Sequence, residues 1–243
     1  MSVAPAGGHA TGPANHHASE AGPAGWRAGT DESGKGDYFG PLVIAAVAAD
    51  LRLATQFQEW GVTDSKKLSD GRAHRLAQEI AAARVPTATV AIGPEKYNQL
   101  HAQMKNLNRL LAWGHARAIE NLLEKTAVEL VVADQFGDEA LIERALLERG
   151  RQVRLWQMPR GERDVVVAAA SVVARAEFLR RLELLGKNLG MPLPKGAGPQ
   201  VDQAAAAIIS RFGPETLATV AKCHFKNTTR AQMLASEMRT GAS

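Results

Sequence analysis

The residues of this 243-residue chain best suited to chemistry are acids at the ends of apolar runs. Asp31 and Glu32 stand side by side in GTDESGKGDYFGPL, Gly29 to Leu42, at the end of a strand-like run and beside a glycine-rich connection. Adjacent carboxylates repel and raise each other's pKa, whereas a divalent cation reverses that balance and keeps both ionised. Taken alone, such a pair is more often a solvated turn. A second acid, Asp134, closes the apolar run ELVVADQFG, although Asp also starts turns and caps helices. A third region, RGERDVVVAAAS from Arg160 to Ser171, sets Glu162 and Asp164 ahead of a small-residue helix, where acids also complement the helix dipole. Together, carboxylates at element ends of one core can hold two magnesium ions ~3.5–4 Å apart, an arrangement suited to in-line phosphoryl transfer.

A rival chemistry is suggested by Gly29-x4-Gly34-Lys35, which matches the start of a phosphate-binding P-loop. It fails at two points. Gly36 stands where a Ser or Thr hydroxyl would hold magnesium, and Asp31 with Glu32 would put two negative charges into an anion cradle.

The elements that must position these acids follow from periodicity. Trp26 to Thr30 and Leu42 to Ala49 read as strands, the second (LVIAAVAA) apolar on both faces and so interior to a sheet. Asp70 to Ala83 has helical periodicity, Pro86 to Ile92 alternates as a strand, and Asn106 to Lys125 is a long helix. Ala127 to Ala133 and Gln152 to Trp156 read as strands separated by a helix from Asp138 to Arg149. Asp164 to Leu185, Val201 to Phe212 and Pro214 to Ala221 are helical. Strands in hairpin order followed by strands separated by helices predict an α/β fold with a mixed sheet flanked by helices.

Composition narrows the setting. Residues 1–25 are dominated by Ala, Gly, Pro, Ser and His without apolar periodicity and are expected to form a disordered tail, His9, His16 and His17 included. No basic region followed by an apolar one suggests a secretory signal, and no apolar run is long enough for a membrane span. The single cysteine, Cys223, rules out an internal disulfide and suits a reducing cytosol. A formal charge of +4 suits a polyanionic partner without requiring one.

With those readings in place, GTDESGKGDYFGPL, VTDSKKLSD, PEKYNQL, NLNRLLAWGHARAIENLL, VVADQFGD, VVVAAASVVARAEFL, LPKGAGPQVD and AKCHFKNT resemble successive motifs of the type 2 ribonucleases H. DQF, LLAWGHA and AKxHFKN favour the ribonuclease HIII branch over its HII sister. The resemblance implies a ribonuclease H-like fold with a five-stranded sheet and a helical C-terminal region. It implies a catalytic domain over residues 26–230 and a flexible C-terminus over 231–243. The function implied is an endonuclease cutting the RNA strand of RNA–DNA hybrids with two Mg2+ or Mn2+ ions, leaving 5′-phosphate and 3′-hydroxyl ends. The implied ligands are Asp31, Glu32, Asp134 and Glu162, with Asp164 as the alternative fourth acid because the spacing to the AAAS serine is one residue shorter than the family pattern.

Gly34, Lys35 and Gly36 resemble the element that reads the 2′-hydroxyl, while Lys66 and Lys67 resemble phosphate contacts. For Ser171 the resemblance offers a phosphate contact and the residues offer close helix packing. Asn106, Asn108 and His115 are implied on the substrate side, with helix capping by Asn106 and a satisfied surface His115 as the plainer readings. Lys195, Lys222, His224 and Lys226 form a basic set that would extend the nucleic-acid track. Members of the HIII branch commonly carry a small N-terminal substrate-binding domain, and the residues before Ala28 are too few and too biased to form it. The expected protein is a monomeric cytoplasmic enzyme acting on hybrids formed in replication or transcription. A silent nucleic-acid-binding module would not need these acids. A DNA nuclease of the same fold would not need the Gly-Lys-Gly element.

Overall fold

The computed structural model describes residues 25–134 and 140–240. The expected tail, apart from Gly25, and the first two residues of the helix expected from Asp138 lie outside the described residues. Strands β1 (Arg27–Ser33) and β2 (Leu42–Ala49) form a hairpin, followed by α1 (Leu51–Glu59), α2 (Asp70–Ala82) and β3 (Thr87–Ile92). Helices α3 (Pro94–Met104) and α4 (Leu107–Leu123) lead to β4 (Leu130–Asp134), α5 (Ala140–Ala145), β5 (Arg154–Met158) and the long α6 (Val165–Leu189). The chain ends with α7 (Pro199–Phe212), α8 (Leu217–Val220) and α9 (Lys226–Thr240).

The five strands lie in the order β3-β2-β1-β4-β5. β2 pairs antiparallel with β1 and β3, while β4 pairs parallel with β1 and β5. Every residue of β2 is buried because it has strands on both sides and helices above and below. Val43, Ala45, Val47 and Ala49 face one core with α1, α2 and α6 to α9. Leu42, Ile44, Ala46 and Ala48 face the other, with α3 to α5. This alternation is the period-2 consequence of pleating, and each fully buried Leu, Ile or Val contributes ~1.5–3 kcal/mol.

α6 crosses β1 so closely that a side chain at Gly29 would lie 2.3 Å from the Val167 nitrogen. Only glycine admits that approach, and the crossing puts the AAAS segment of α6 over the end of β1.

Several boundaries differ from those expected. β1 continues through Asp31, Glu32 and Ser33 because Ala45, Ile44 and Val43 of β2 continue to pair with it. β5 starts at Arg154, where pairing with Leu130 of β4 begins. α1 has no counterpart among the expected elements; Asp50 caps it by accepting from the Leu53 N–H, and Leu53, Ala54 and Phe57 supply its buried stripe. α9 runs to Thr240, well into the terminus expected to be flexible, and buries Ala231 and Ala235. Its inward positions are small, so its apolar face is faint in the sequence. Among the described residues no helix is long and apolar enough to cross a membrane.

Candidate active site

β1 carries Asp31 and Glu32 to the sheet end, and pleating turns their side chains to opposite faces. Asp31 faces α6. Burial, then the charge of Glu32, pushes its carboxyl up to about 7, against the lowering effects of the Glu32 N–H, the Ser171 hydroxyl and Lys66. The Glu32 N–H donates to Asp31 Oδ1 at 2.8 Å. Ser171 is 2% exposed and belongs to a buried knot: its Oγ donates to Ser65 Oγ at 2.6 Å and accepts from the Ser65 N–H at 3.3 Å. Arg175, one turn along α6, donates to the Ser65 carbonyl at 2.7 Å and so fixes the short 3-10 turn Ser65–Lys67. Lys66 and Lys67 project from that turn into solvent.

Glu32 faces α4. Burial raises its pKa, but the hydrogen bond and charge of His115, joined by Lys35, outweigh burial and hold it well below the usual carboxylate range. Lys35 Nζ lies 3.3 Å from Oε1 and His115 Nε2 lies 3.2 Å from Oε2. The proton positions follow from the chain of contacts. The Thr30 hydroxyl donates to the Ala45 carbonyl at 2.9 Å, so it must accept from Nδ1–H of His115 at 3.0 Å. His115 is fully buried, with the Thr30 hydroxyl at one ring nitrogen and Glu32 at the other.

Asp134 ends β4. Thr30 pairs with Ala133, which sets Asp31 and Asp134 at corresponding positions on adjacent parallel strands. Asp134 Oδ1 accepts from the Gly161 N–H at 3.0 Å, which holds the 3-10 turn Gly161–Arg163, and Glu162 within it, against the end of β4. Asp164 is engaged elsewhere. Its Oδ1 accepts from the Val166 and Val167 N–H groups as the cap of α6, and its Oδ2 pairs with Arg27 at the opposite end of β1. Among the described residues no three His, Cys, Asp or Glu side chains are gathered closely enough to hold a metal.

The two glycines of Gly34-Lys35-Gly36 do different work. Gly34 has φ +88°, and a Cβ there would lie 2.2 Å from the Pro41 carbonyl oxygen and 2.8 Å from the Phe178 ring. Its glycine is required by the fold. Gly36 is exposed, and nothing lies within 4 Å of where its Cβ would be. The protein's own packing makes no demand for glycine there.

A family model described as ribonuclease HII matches residues 28–228. The chain belongs to the ribonuclease HII family. It is 43% identical to ribonuclease HIII of Protochlamydia amoebophila over 82% of this chain and 65% of the relative, and 44% identical to ribonuclease HIII of Chlamydia pneumoniae over 82% and 68%. The chain thus spans about two thirds of the length of these curated relatives. Among solved structures, Bst-RNase HIII in complex with Mn2+ superposes with a TM-score of 0.82 at 36% identity, covering 88% of this chain and 71% of that one. The ribonuclease H-like fold expected from the sequence is the fold found.

Within this ribonuclease HII-family chain, several expected substrate residues have other partners. Lys222 is fully buried: its Nζ donates to the carbonyls of Asp37 at 2.8 Å, Gly40 at 2.7 Å and Phe39 at 3.4 Å, and burial lowers its pKa to about 7. It is a clamp on the turn after Gly36, not a contact for nucleic acid. His224 stacks on His101 with ring centroids 4.0 Å apart, and burial together with His101 and Lys222 lowers its pKa to about 4. It adds no positive charge near neutrality. Lys195 pairs with Asp70, while Lys226 is exposed at the start of α9. Asn106 caps α4 by accepting from the Arg109 N–H at 3.2 Å, and Asn108 lies half-buried in the first turn. His115 is not at the surface: it is fully buried against Glu32. Its role behind Glu32 had one sequence signal: a histidine one helical turn beyond Leu111 on an apolar helix face has to find a polar partner in the core.

Proposed function

We propose that this chain is an endonuclease that hydrolyses the RNA strand of RNA–DNA hybrids with divalent cations held by Asp31, Glu32, Asp134 and Glu162. The observation that carries the reading is the paired carboxylate Asp31–Glu32 at the end of β1, beside Asp134 at the end of the adjoining strand. The donor set fits Mg2+ or Mn2+, which take carboxylate oxygens. Asp31 supports that fit: burial and the charge of Glu32 outweigh the opposing effects of Ser171 and Lys66, an imbalance that a divalent ion would reverse. Glu162 is favoured over Asp164 because it sits in the turn held to Asp134, whereas Asp164 caps α6 and pairs with Arg27.

The chemistry supplied by two such ions is activation of a water for attack on the phosphorus and stabilisation of the leaving 3′-oxygen, which gives 5′-phosphate and 3′-hydroxyl products. The chain's own residues place the strand. Gly36 offers open backbone that can approach a 2′-hydroxyl, and exposed Lys66 and Lys67 flank the Asp31 side with positive charge for phosphates. Ser171 acts from within the protein, by ordering the Ser65–Lys67 turn and facing Asp31.

The test is cleavage of three labelled duplexes, an RNA–DNA hybrid, all-DNA, and DNA with one ribonucleotide, in Mg2+ or Mn2+ and in chelator. Metal-dependent cutting of the hybrid is expected, and Asp134→Asn should lower it by about three orders of magnitude or more, the equivalent of ~4 kcal/mol of barrier. Efficient cutting at the single ribonucleotide would move the specificity towards that of the HII branch. Binding without metal-dependent cleavage of any duplex would overturn the enzyme reading.

A further inference from the structure

Glu32 has a basic side chain at each oxygen, and the two are held very differently. His115, at Oε2, is wholly buried and fixed from behind by Thr30. Lys35, at Oε1, keeps 39% of its side-chain surface exposed, and its ammonium sits on a flexible four-carbon stem. The first contact belongs to the core. The second is a partly exposed ion pair of the kind that exchanges readily with other partners. Lys35 also lies between Gly34 and Gly36, in the segment whose open backbone suits approach to the hybrid.

We propose that Lys35 is a displaceable counter-cation: it occupies Glu32 Oε1 until a divalent ion takes that oxygen, and its release towards a backbone phosphate couples metal binding to hybrid binding. The inference rests on the reading of Glu32 as a metal ligand. An ammonium and a divalent ion cannot share one carboxylate oxygen without mutual repulsion, and His115 has no route away from Oε2. Lys35 is therefore the cation that yields. A phosphate that draws Lys35 away makes room for the ion, and by linkage the ion must favour the phosphate-bound lysine by the same factor.

The experiment is a Mn2+ titration followed by loss of the free-ion paramagnetic resonance signal, on the wild type and on Lys35→Gln, Lys66→Gln and Glu32→Gln. Hybrid affinity in chelator is measured alongside. Lys35→Gln is expected to bind Mn2+ about fivefold more tightly than wild type, as removal of a competing partly exposed ion pair implies. Lys66→Gln removes an equal charge near Asp31 without vacating Glu32 Oε1, and is expected to gain less. Lys35→Gln should at the same time bind the hybrid more weakly. Mn2+ affinity no higher in Lys35→Gln than in Lys66→Gln, or undiminished hybrid affinity in Lys35→Gln, would overturn the coupling. A Glu32→Gln protein that titrates like wild type would remove Glu32 from the ligand set, and with it both the site reading and this inference.

Discussion

On the α6 face of β1, Asp31 meets the Ser171 hydroxyl and, behind it, Ser65, with Lys66 a weaker positive influence and Arg175 spent on Ser65 and Asp70. On the α4 face, Glu32 meets the enclosed His115 ring and the ammonium of Lys35. Adjacent residues of the same chemistry are thus driven in opposite directions, Asp31 towards the neutral acid and Glu32 towards the carboxylate. What decides between them is the layer that covers each face, since pleating alone sends neighbouring side chains to different helices. The metal-free pair therefore holds less negative charge than two free carboxylates would, which lets a buried acidic pair persist in the fold.

The sharpest way to break this comparison is to neutralise each acid and measure both chemistry and stability. Asp31→Asn and Glu32→Gln should both abolish hybrid cleavage, yet shift the metal-free melting temperature in opposite directions. Glu32→Gln takes away the carboxylate that meets both Lys35 and the buried His115 and should cost about 1.5–3 kcal/mol. Asp31→Asn removes an acid that burial disfavours and should stabilise by about 1 kcal/mol near pH 8. The sign of its pH dependence follows from linkage. The folded pKa of Asp31, about 7, lies above its ordinary value of 3.8, so folding takes up a proton between these values. The stability that this brings is complete below about pH 4 and is lost as pH rises through 7. Melts in chelator should accordingly show wild type falling relative to Asp31→Asn between pH 5 and pH 8. A constant gap would mean that Asp31 is ionised throughout and that the two faces do not differ in this way.

The strand ends were legible because an Asp that closes a run of valines and alanines sits where a buried strand has to leave the core, and β2 because eight apolar residues admit only an interior strand. What divides Asp31 from Glu32 was not legible. It depends on His115, 83 residues away in sequence, meeting Glu32 through the packing of α4 on the sheet. Lys222 misled for a related reason: in sequence it is one more cation in a basic segment, and only the fold gives it three carbonyls of the Asp37–Gly40 turn. Local pattern fixes which elements form, whereas the state of a charged side chain is fixed by partners that the tertiary fold brings.

A smaller effect sharpens the α6 side. Ser171→Ala removes a hydroxyl that holds Ser65 and faces Asp31. The loss of one buried hydrogen bond should cost about 1 kcal/mol. Since that hydroxyl favours the ionised form of Asp31, the melting curves of Ser171→Ala should also separate further from those of Asp31→Asn at pH 8. A stability loss with no change in that separation would confine Ser171 to packing the turn.

The smallest effect lies at the outer end of the same network. Asp70, at the start of α2, receives Arg175 at 2.7 Å and Lys195 at 2.5 Å, so one carboxylate ties α2 and α6 to the segment before α7. Burial would raise its pKa, but the two cations outweigh burial and lower it. Because the group is partly exposed, Asp70→Asn should cost under about 1 kcal/mol at neutral pH. A lowered folded pKa stabilises the protein above the ordinary carboxylate value of 3.8 and ceases to do so as pH falls through the folded value. The difference between Asp70→Asn and wild type should therefore be visible at pH 7 in low salt, shrink in high salt, and vanish in acid. Arg175 also holds the Ser65 carbonyl, so a loss near pH 7 as large as that of Ser171→Ala would show that Asp70 governs the buried knot through Arg175. The α6 face would then depend on a surface charge after all, and its contrast with the enclosed His115 of the α4 face would be one of degree.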